Sequence, residues 1–267
     1  MPIDLTQRLI RRFRAAFTKP PDWAWQFPPP VPFVGSRYKP GRGLLVYASA
    51  ENLSWLNGIE TPWYFGEPDA WNRYRVQHDA DVRNSKDRYF PDVGIQPATD
   101  GGLFAAALFV ADQVGLPPTA NPRTFLERIA VSNWCKFTIK SADNRDYIGH
   151  LGKLTDSLQY VVAELVELRP AVVLLPQQVW RRPVLRAAMR GASPWTRFLP
   201  VHQFNATVVN THLQQYAARA GRLRQARAGT LLAKWMAKLV GFREENAWRY
   251  IAFLDGVLRQ PAICRPA

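Results

Sequence analysis

Leu44-Leu45-Val46-Tyr47-Ala48-Ser49-Ala50-Glu51-Asn52-Leu53-Ser54 is the stretch that decides the fold. Leu44 to Ala48 is a short, continuous apolar run, the pattern of a buried strand. Ser49 to Ser54 is a small polar turn that ends in a carboxylate and a carboxamide. Thirteen residues beyond Asn52 lies Phe65, within Thr61-Pro62-Trp63-Tyr64-Phe65-Gly66. Polar groups at the carboxyl end of a strand stand where open α/β sheets bind ligands. An aromatic ring supplied by the following loop can stack on a planar ligand held there.

Downstream, apolar strands alternate with helical segments. The pattern predicts a helix over Leu103 to Val114, ended by Gly115-Leu116-Pro117-Pro118, and a helical turn over Pro122 to Arg128. A second strand, Ile129 to Ser132, is followed by Asn133. A long helix spans Leu151 to Leu168, a third strand Ala171 to Leu175, a basic helix Val179 to Met189, and a fourth strand Arg197 to Val201 that ends at His202. Glu67 to Asp92 is polar and reads as irregular or as short helices. Ala206 to Arg259 reads as helical, broken near Gly221, Gly229 and Gly241. The expected fold is α/β: three α/β/α layers around a central, mostly parallel four-stranded sheet, with a basic helical C-terminal region.

Ahead of the first strand, Ile3 to Phe17 reads as an amphipathic helix, with Leu5, Leu9, Phe13 and Phe17 on one stripe. Pro20, Pro21, Pro28, Pro29, Pro30 and Pro32 are expected to prevent regular structure up to about Arg42. Trp23, Trp25, Phe27 and Phe33 mark that stretch as an arm packed on the domain. The expected organisation is an N-terminal helix and arm over 1–42, an α/β core over 43–213, and a basic helical extension over 214–267 packed on the core.

With 267 residues, 47% of them hydrophobic, a full core needs no covalent staples. Two cysteines, Cys135 and Cys264, are too few for a four-cysteine zinc or iron–sulfur site and suit a reducing, cytoplasmic setting. The Arg-rich N-terminus has spaced apolar residues, so neither a secretory signal nor a membrane span is expected there. The net charge is +14, and Arg181 to Ala267 carries fifteen Lys and Arg against Glu244, Glu245 and Asp255. So lopsided a distribution suits a polyanion, nucleic acid first, though solvated basic faces give the same count.

Three strand ends therefore carry polar side chains: Glu51 and Asn52, Asn133, and His202. Singly, an Asn after a strand is a turn former and a His a structural residue. Together, in a parallel sheet, they share one edge and can converge. His78, His150 and His212 have no such placement.

Their order and spacing resemble the uracil-DNA glycosylase superfamily over roughly Gly43 to Leu213. Asn52 and Phe65 match the family's water-activating turn and stacking Phe, and Ile129-Ala130-Val131-Ser132-Asn133-Trp134-Cys135-Lys136 is similar to the motif whose Asn reads the base edge. Leu168-Arg169-Pro170 leading into a strand resembles a third motif, and Val201-His202-Gln203-Phe204-Asn205 falls where the family's His motif stands. Leu53 replaces the family's usual Pro, Ser54 its common Gly, and the Pro-Ser of the His motif is missing. A second register pairs Glu51 with Tyr64, again thirteen apart, and resembles a branch that carries a cysteine-ligated iron–sulfur cluster, which two cysteines cannot supply.

The resemblance implies a monofunctional DNA repair glycosylase that hydrolyses the N-glycosidic bond of uracil without metal or cofactor. A base must leave the stack before it can be excised. On this pattern Asn52 or Glu51 handles the attacking water, and His202 donates to the oxygen of the departing base anion. Phe65 or Tyr64 stacks on the base, and Asn133 pairs with the O4 and N3–H edge of uracil. Phe204 enters the emptied stack or is an ordinary core Phe. Arg219, Arg222, Arg224 and Arg227 grip DNA phosphates or form a solvated helix face. The expected partners are single- or double-stranded uracil-containing DNA and free uracil as product, with no membrane, for a monomer in the cytoplasm associated with the nucleoid. Three other readings share these residues: a glycosylase for hypoxanthine or xanthine, a nucleic-acid-binding protein on this fold without catalysis, and a fold coincidence serving protein partners.

Overall fold

The computed structural model describes residues 5–24, 29, 31–50, 101–116, 122–137, 151–202, 213–237, 239 and 243–259. Among them the chain forms α1 (Leu5–Ala16), β1 (Phe33–Val34), β2 (Leu44–Ala50), α2 (Gly101–Gln113), α3 (Pro122–Leu126), β3 (Ile129–Cys135) and α4 (Leu151–Leu168). There follow β4 (Val172–Pro176), α5 (Gln177–Trp180), α6 (Pro183–Ala192), β5 (Arg197–Val201), a 3-10 turn (Gln214–Tyr216), α7 (Ala217–Ala226), α8 (Leu231–Met236) and α9 (Glu244–Arg259).

This is an α/β fold with a mixed, five-stranded sheet in the order β1-β3-β2-β4-β5. The four longer strands are parallel, and β1 pairs antiparallel with β3 through Phe33↔Val131 and Val34↔Ala130. The four-stranded expectation is thus short by one strand, and the Pro-rich arm does contain regular structure. The run Val31 to Val34 is the reason: past Pro32 it offers two residues with free N–H groups, and they add to the edge of β3. Gly35 lets the arm close down, since a Cβ there would stand 2.3 Å from the backbone of Glu127.

β2 lies at the centre, and β4, between β2 and β5, is buried at all five positions. A parallel strand covered on both faces reads as an unbroken apolar run, as Val172 to Leu175 does. Pro200 is tolerated in β5 because that strand closes the sheet and one side of its backbone needs no partner.

Side chains of alternate parity feed two cores. Leu44, Val46, Ile129, Val172, Leu174, Leu199 and Val201 pack with α2, α8 and α9. Leu45, Tyr47, Ala130, Trp134, Val173, Leu175 and Phe198 pack with α1, α4 and α6. α2 is buried from Phe104 through Ala111, on every side, because β2 flanks it on one face and α8 and α9 on the other. On α4, Leu154, Ser157, Val161, Glu164, Leu165 and Leu168 recur at helical spacing and face inward. α1 lays Leu9, Ile10 and Phe13 on this side, and Arg8 and Arg12 both pair with Glu167 of α4.

Several bounds differ from the pattern. The expected helix over Val179 to Met189 is two helices, because Pro183 pushes Arg182 into an extended conformation (φ −84°, ψ 111°). α7 runs straight through Gly221, whereas Gly229, at φ +76°, does end the segment before α8. Gly241 and the segment Glu67 to Asp92 lie outside the described residues.

Candidate functional site

Among the parallel strands the spatial order is β3-β2-β4-β5, so the chain steps from β2 to one side and then back across it to β4. The order reverses between β2 and β4, and the crevice beyond their carboxyl ends is where such sheets take ligands.

Asn133 was expected just after its strand. It lies inside it, because β2 extends to Ala50 and keeps β3 paired as far as Ala50↔Cys135. Asn133 pairs with Ala48 and is half-buried, between buried Ser132 and Trp134, which point to the opposite face. Pairing of Val46 with Leu174 sets Ala48 level with Pro176, and Pro176 pairs with Val201. Asn133 therefore shares a row with Val201, the residue before His202, three strand intervals away or about 14 Å. His202 is half-buried, with its ring 5.9 Å from that of Phe253 on α9. Its carbonyl accepts a hydrogen bond from Tyr250 Oη at 2.5 Å. The two residues stand on the same edge, at either end of the parallel row. Glu51, Asn52, Tyr64, Phe65 and Phe204 lie outside the described residues.

Between them, directly at the end of β4, stand Gln177 and Gln178. The Oε1 atoms of both are buried and have no hydrogen-bond partner among the described residues. A buried carboxamide oxygen left unmatched costs about 1–3 kcal/mol, and such a cost is recovered when a donor arrives. In the sequence the two glutamines simply follow an apolar run, and no local motif marks them. Their place at the reversal of strand order is the signal that marks them.

A second group was not read from the sequence at all. Beneath this edge, on the α4 face, Lys136 and Glu164 form an ion pair in which neither side chain is exposed. Lys136 Nζ also donates to Ser132 Oγ at 2.7 Å, Ser132 Oγ donates to Glu164 Oε1 at 2.9 Å, and Tyr47 Oη donates to Glu164 Oε2 at 2.6 Å. The ammonium lies 5.5 Å from the ring centre of Tyr47 and 5.9 Å from that of Phe13. Burial pushes the Glu164 carboxyl up, against the pull of Lys136 and of the three hydrogen bonds. Burial, and then the neighbouring Glu164 charge, push the Tyr47 hydroxyl well up. The network ties β2, β3 and α4 together next to Asn133. The signal in the sequence was a carboxylate on the apolar stripe of α4.

The four arginines expected to hold DNA lie on or just after α7, and three of them are engaged elsewhere. Arg219 pairs with buried Asp255, donating from Nε at 2.7 Å. Arg224 pairs with Glu244 at 3.1 Å, and Arg227 pairs with Asp112. These contacts pin α7 to α9 and α2. Arg222 is exposed and makes no ion pair with the described residues.

Among the described residues no three His, Cys, Asp or Glu side chains are grouped as metal ligands would be, and no helix is long and apolar enough to cross a membrane. No family model matches the chain, and neither a characterised protein nor a solved structure matches it.

Proposed function

We propose that this chain is a monofunctional DNA glycosylase that extrudes uracil and hydrolyses its N-glycosidic bond at the carboxyl edge of the sheet. The observation that carries the proposal is the shared edge of Asn133 and His202, on either side of the point where strand order reverses. Two residues far apart in sequence, a carboxamide and an imidazole, thus flank the point where the strand order reverses. The order of the four parallel strands and the helices on both faces fit the three-layer arrangement that the resemblance implies.

In the proposed reaction the glycosidic bond breaks with its electron pair going to the base, and water adds to the sugar carbon. His202 donates to the base oxygen on which the negative charge collects. Asn133 faces the lactam edge, giving an N–H to the carbonyl oxygen and accepting the ring N–H. Gln177 and Gln178 supply further acceptors at the same edge. Phe65, or Tyr64 in the second register, covers the base, and Asn52 or Glu51 holds the water, a carboxylate being able to take its proton as well. The protein would act on DNA in the cytoplasm, near the nucleoid.

Hypoxanthine and xanthine present a comparable lactam edge on a larger ring. The test is an oligonucleotide assay with uracil, hypoxanthine or xanthine at one position, single- and double-stranded, followed by alkali. Scission with uracil supports the proposal. Scission with a purine lesion alone moves the activity to that base. DNA binding without scission of any substrate leaves a binding protein on this fold.

A further inference from the structure

We propose that Arg181, Arg186 and Arg190, on the outer side of α5 and α6, form the track that grips the phosphate backbone of nucleic acid. The proposal rests on DNA being the partner, and it moves the grip away from α7.

Residues 168 to 243 contain no Asp or Glu and thirteen Lys and Arg. Within that span the two helical surfaces differ. Arg219, Arg224 and Arg227, on or just after α7, meet Asp255, Glu244 and Asp112, whose charge cancels theirs. Arg181, Arg186 and Arg190 meet no acidic side chain among the described residues. Arg181 and Arg190 are exposed, and Arg186 is half-buried.

Geometry makes these charges a track. Leu185 and Met189 bury the inner face of α6 against the sheet and α4. Arg186 and Arg190 are four residues apart on one flank, one helical turn beyond the N-cap Arg182. Four residues rise about 6 Å, close to two nucleotide steps of about 3.4 Å along one strand. Because β4 and β5 are parallel, α6 must carry the chain back from the carboxyl edge, where Gln177 stands, to the amino edge. The track therefore starts beside the candidate site and runs away from it.

One arginine head of the track, that of Arg190, is also held in place. Arg190 lies over the ring of Trp180 at 5.2 Å, and Trp180 stacks on Phe198 at 5.1 Å. At the far end, Arg169 lies over exposed Trp195 at 5.0 Å. A guanidinium stacked by its face keeps its N–H edge free for a phosphate and loses less entropy on binding.

The experiment is fluorescence anisotropy of labelled, uracil-free DNA, single- and double-stranded, with the full chain across a salt series. The variants are Arg181→Gln/Arg186→Gln/Arg190→Gln, the same triple to Lys, and Arg222→Gln. Each duplex phosphate contact contributes about 0.9 to the slope of log K against log salt. The triple Gln variant is expected to flatten that slope by about 2 to 3, the triple Lys variant to keep most of it, and Arg222→Gln to change it by at most about 1. An unchanged slope in the triple Gln variant overturns the track, as does wild-type protein that binds phosphatidylserine vesicles and no DNA. If the slope flattens as expected while no base is excised, the track stands and the glycosylase proposal falls. If uracil is excised and the triple Gln variant binds with the wild-type slope, the track falls and the glycosylase stands.

Discussion

Lys136, just past the end of β3, and Glu164 on α4 pair with each other in complete burial, and Ser132 and Tyr47 complete the hydrogen bonding of the carboxylate. Removing one member strands the other charge in the core, which costs about 3–5 kcal/mol, whereas replacing both by apolar residues of similar size is near neutral. Lys136→Met alone and Glu164→Leu alone are therefore expected to lower the urea midpoint sharply, and Lys136→Met/Glu164→Leu to recover most of the loss. Additive losses in the double variant would show that the two residues do not act as a pair.

Cys135 gives the alkaline side of the stability curve. Burial raises its thiol from 9.0 to about 11, although hydrogen bonding from the Phe137 backbone and the Ser157 side chain, and the charges of Lys136 and Lys153, work the other way. Between those values the unfolded chain has lost the proton and the folded chain keeps it. Stability is thus fully present below pH 9 and declines as pH rises toward 11, by about 2–3 kcal/mol. The buried tyrosines add to the decline only above their ordinary value of 10.0. Urea unfolding between pH 9 and 10 is expected to show a falling midpoint in the wild type and a flatter one in Cys135→Ala.

Arg219 and Arg222 separate architecture from charge. Asp255 is 4% exposed and is met by Arg219 and by Arg259, the latter at 3.1 Å. Arg219→Gln removes one of its two cations and is expected to lower stability by about 1–3 kcal/mol, read as a fall in Tm. Arg222→Gln, on the exposed side of the same helix, is expected to stay within about 0.5 kcal/mol. Equal thermal shifts in the two would contradict the division of roles along α7.

Gly35 sets how the arm meets the sheet. A methyl group there collides with the backbone of Glu127, and the Gly35 N–H donates to the Ile129 carbonyl at 3.0 Å. Gly35→Ala is expected to cost about 1–3 kcal/mol through displacement of β1 from β3. Hydrogen exchange at Val131, whose amide faces β1, should accelerate in that variant, and unchanged protection would place the arm elsewhere.

Much of this arrangement was legible because the relevant signals are local. Leu151 to Leu168 announces its helix by spacing and by the Arg169-Pro170 stop, and Arg197 to Val201 its strand by a bounded apolar run. β1 was missed because two residues among prolines make no periodic pattern, and only an edge of β3 waiting for a partner makes them a strand. The strand that carries Asn133 was ended three residues too early, at Ser132 instead of Cys135, because a strand's end depends on how far its neighbour continues, here to Ala50. The ion pairs of α7 were hidden because Asp112 and Asp255 are distant in sequence, so a dense arginine cluster looked like a free surface. Gln177 and Gln178 acquire meaning only from sheet order, which no local pattern encodes.

Gln177 and Gln178 offer a check on ligand recognition that is independent of fold. Each has a buried carboxamide oxygen with no partner among the described residues, so Gln177→Met and Gln178→Met are expected to preserve or raise Tm. If these oxygens accept from the base, the same variants weaken binding of free uracil, by about tenfold for each hydrogen bond lost. Wild-type uracil affinity in both would remove them from the site.

Release of free uracil from labelled DNA, followed by chromatography for wild type, Asn133→Ala and His202→Ala, tests the central claim most directly. Wild type is expected to liberate uracil. The His202 variant is expected to be slower by about 10²–10³-fold, as for loss of a donor to a developing anion, and the Asn133 variant to be similarly impaired, with thermal unfolding of both unchanged. No uracil from the wild type, or undiminished release from both variants, would contradict the account.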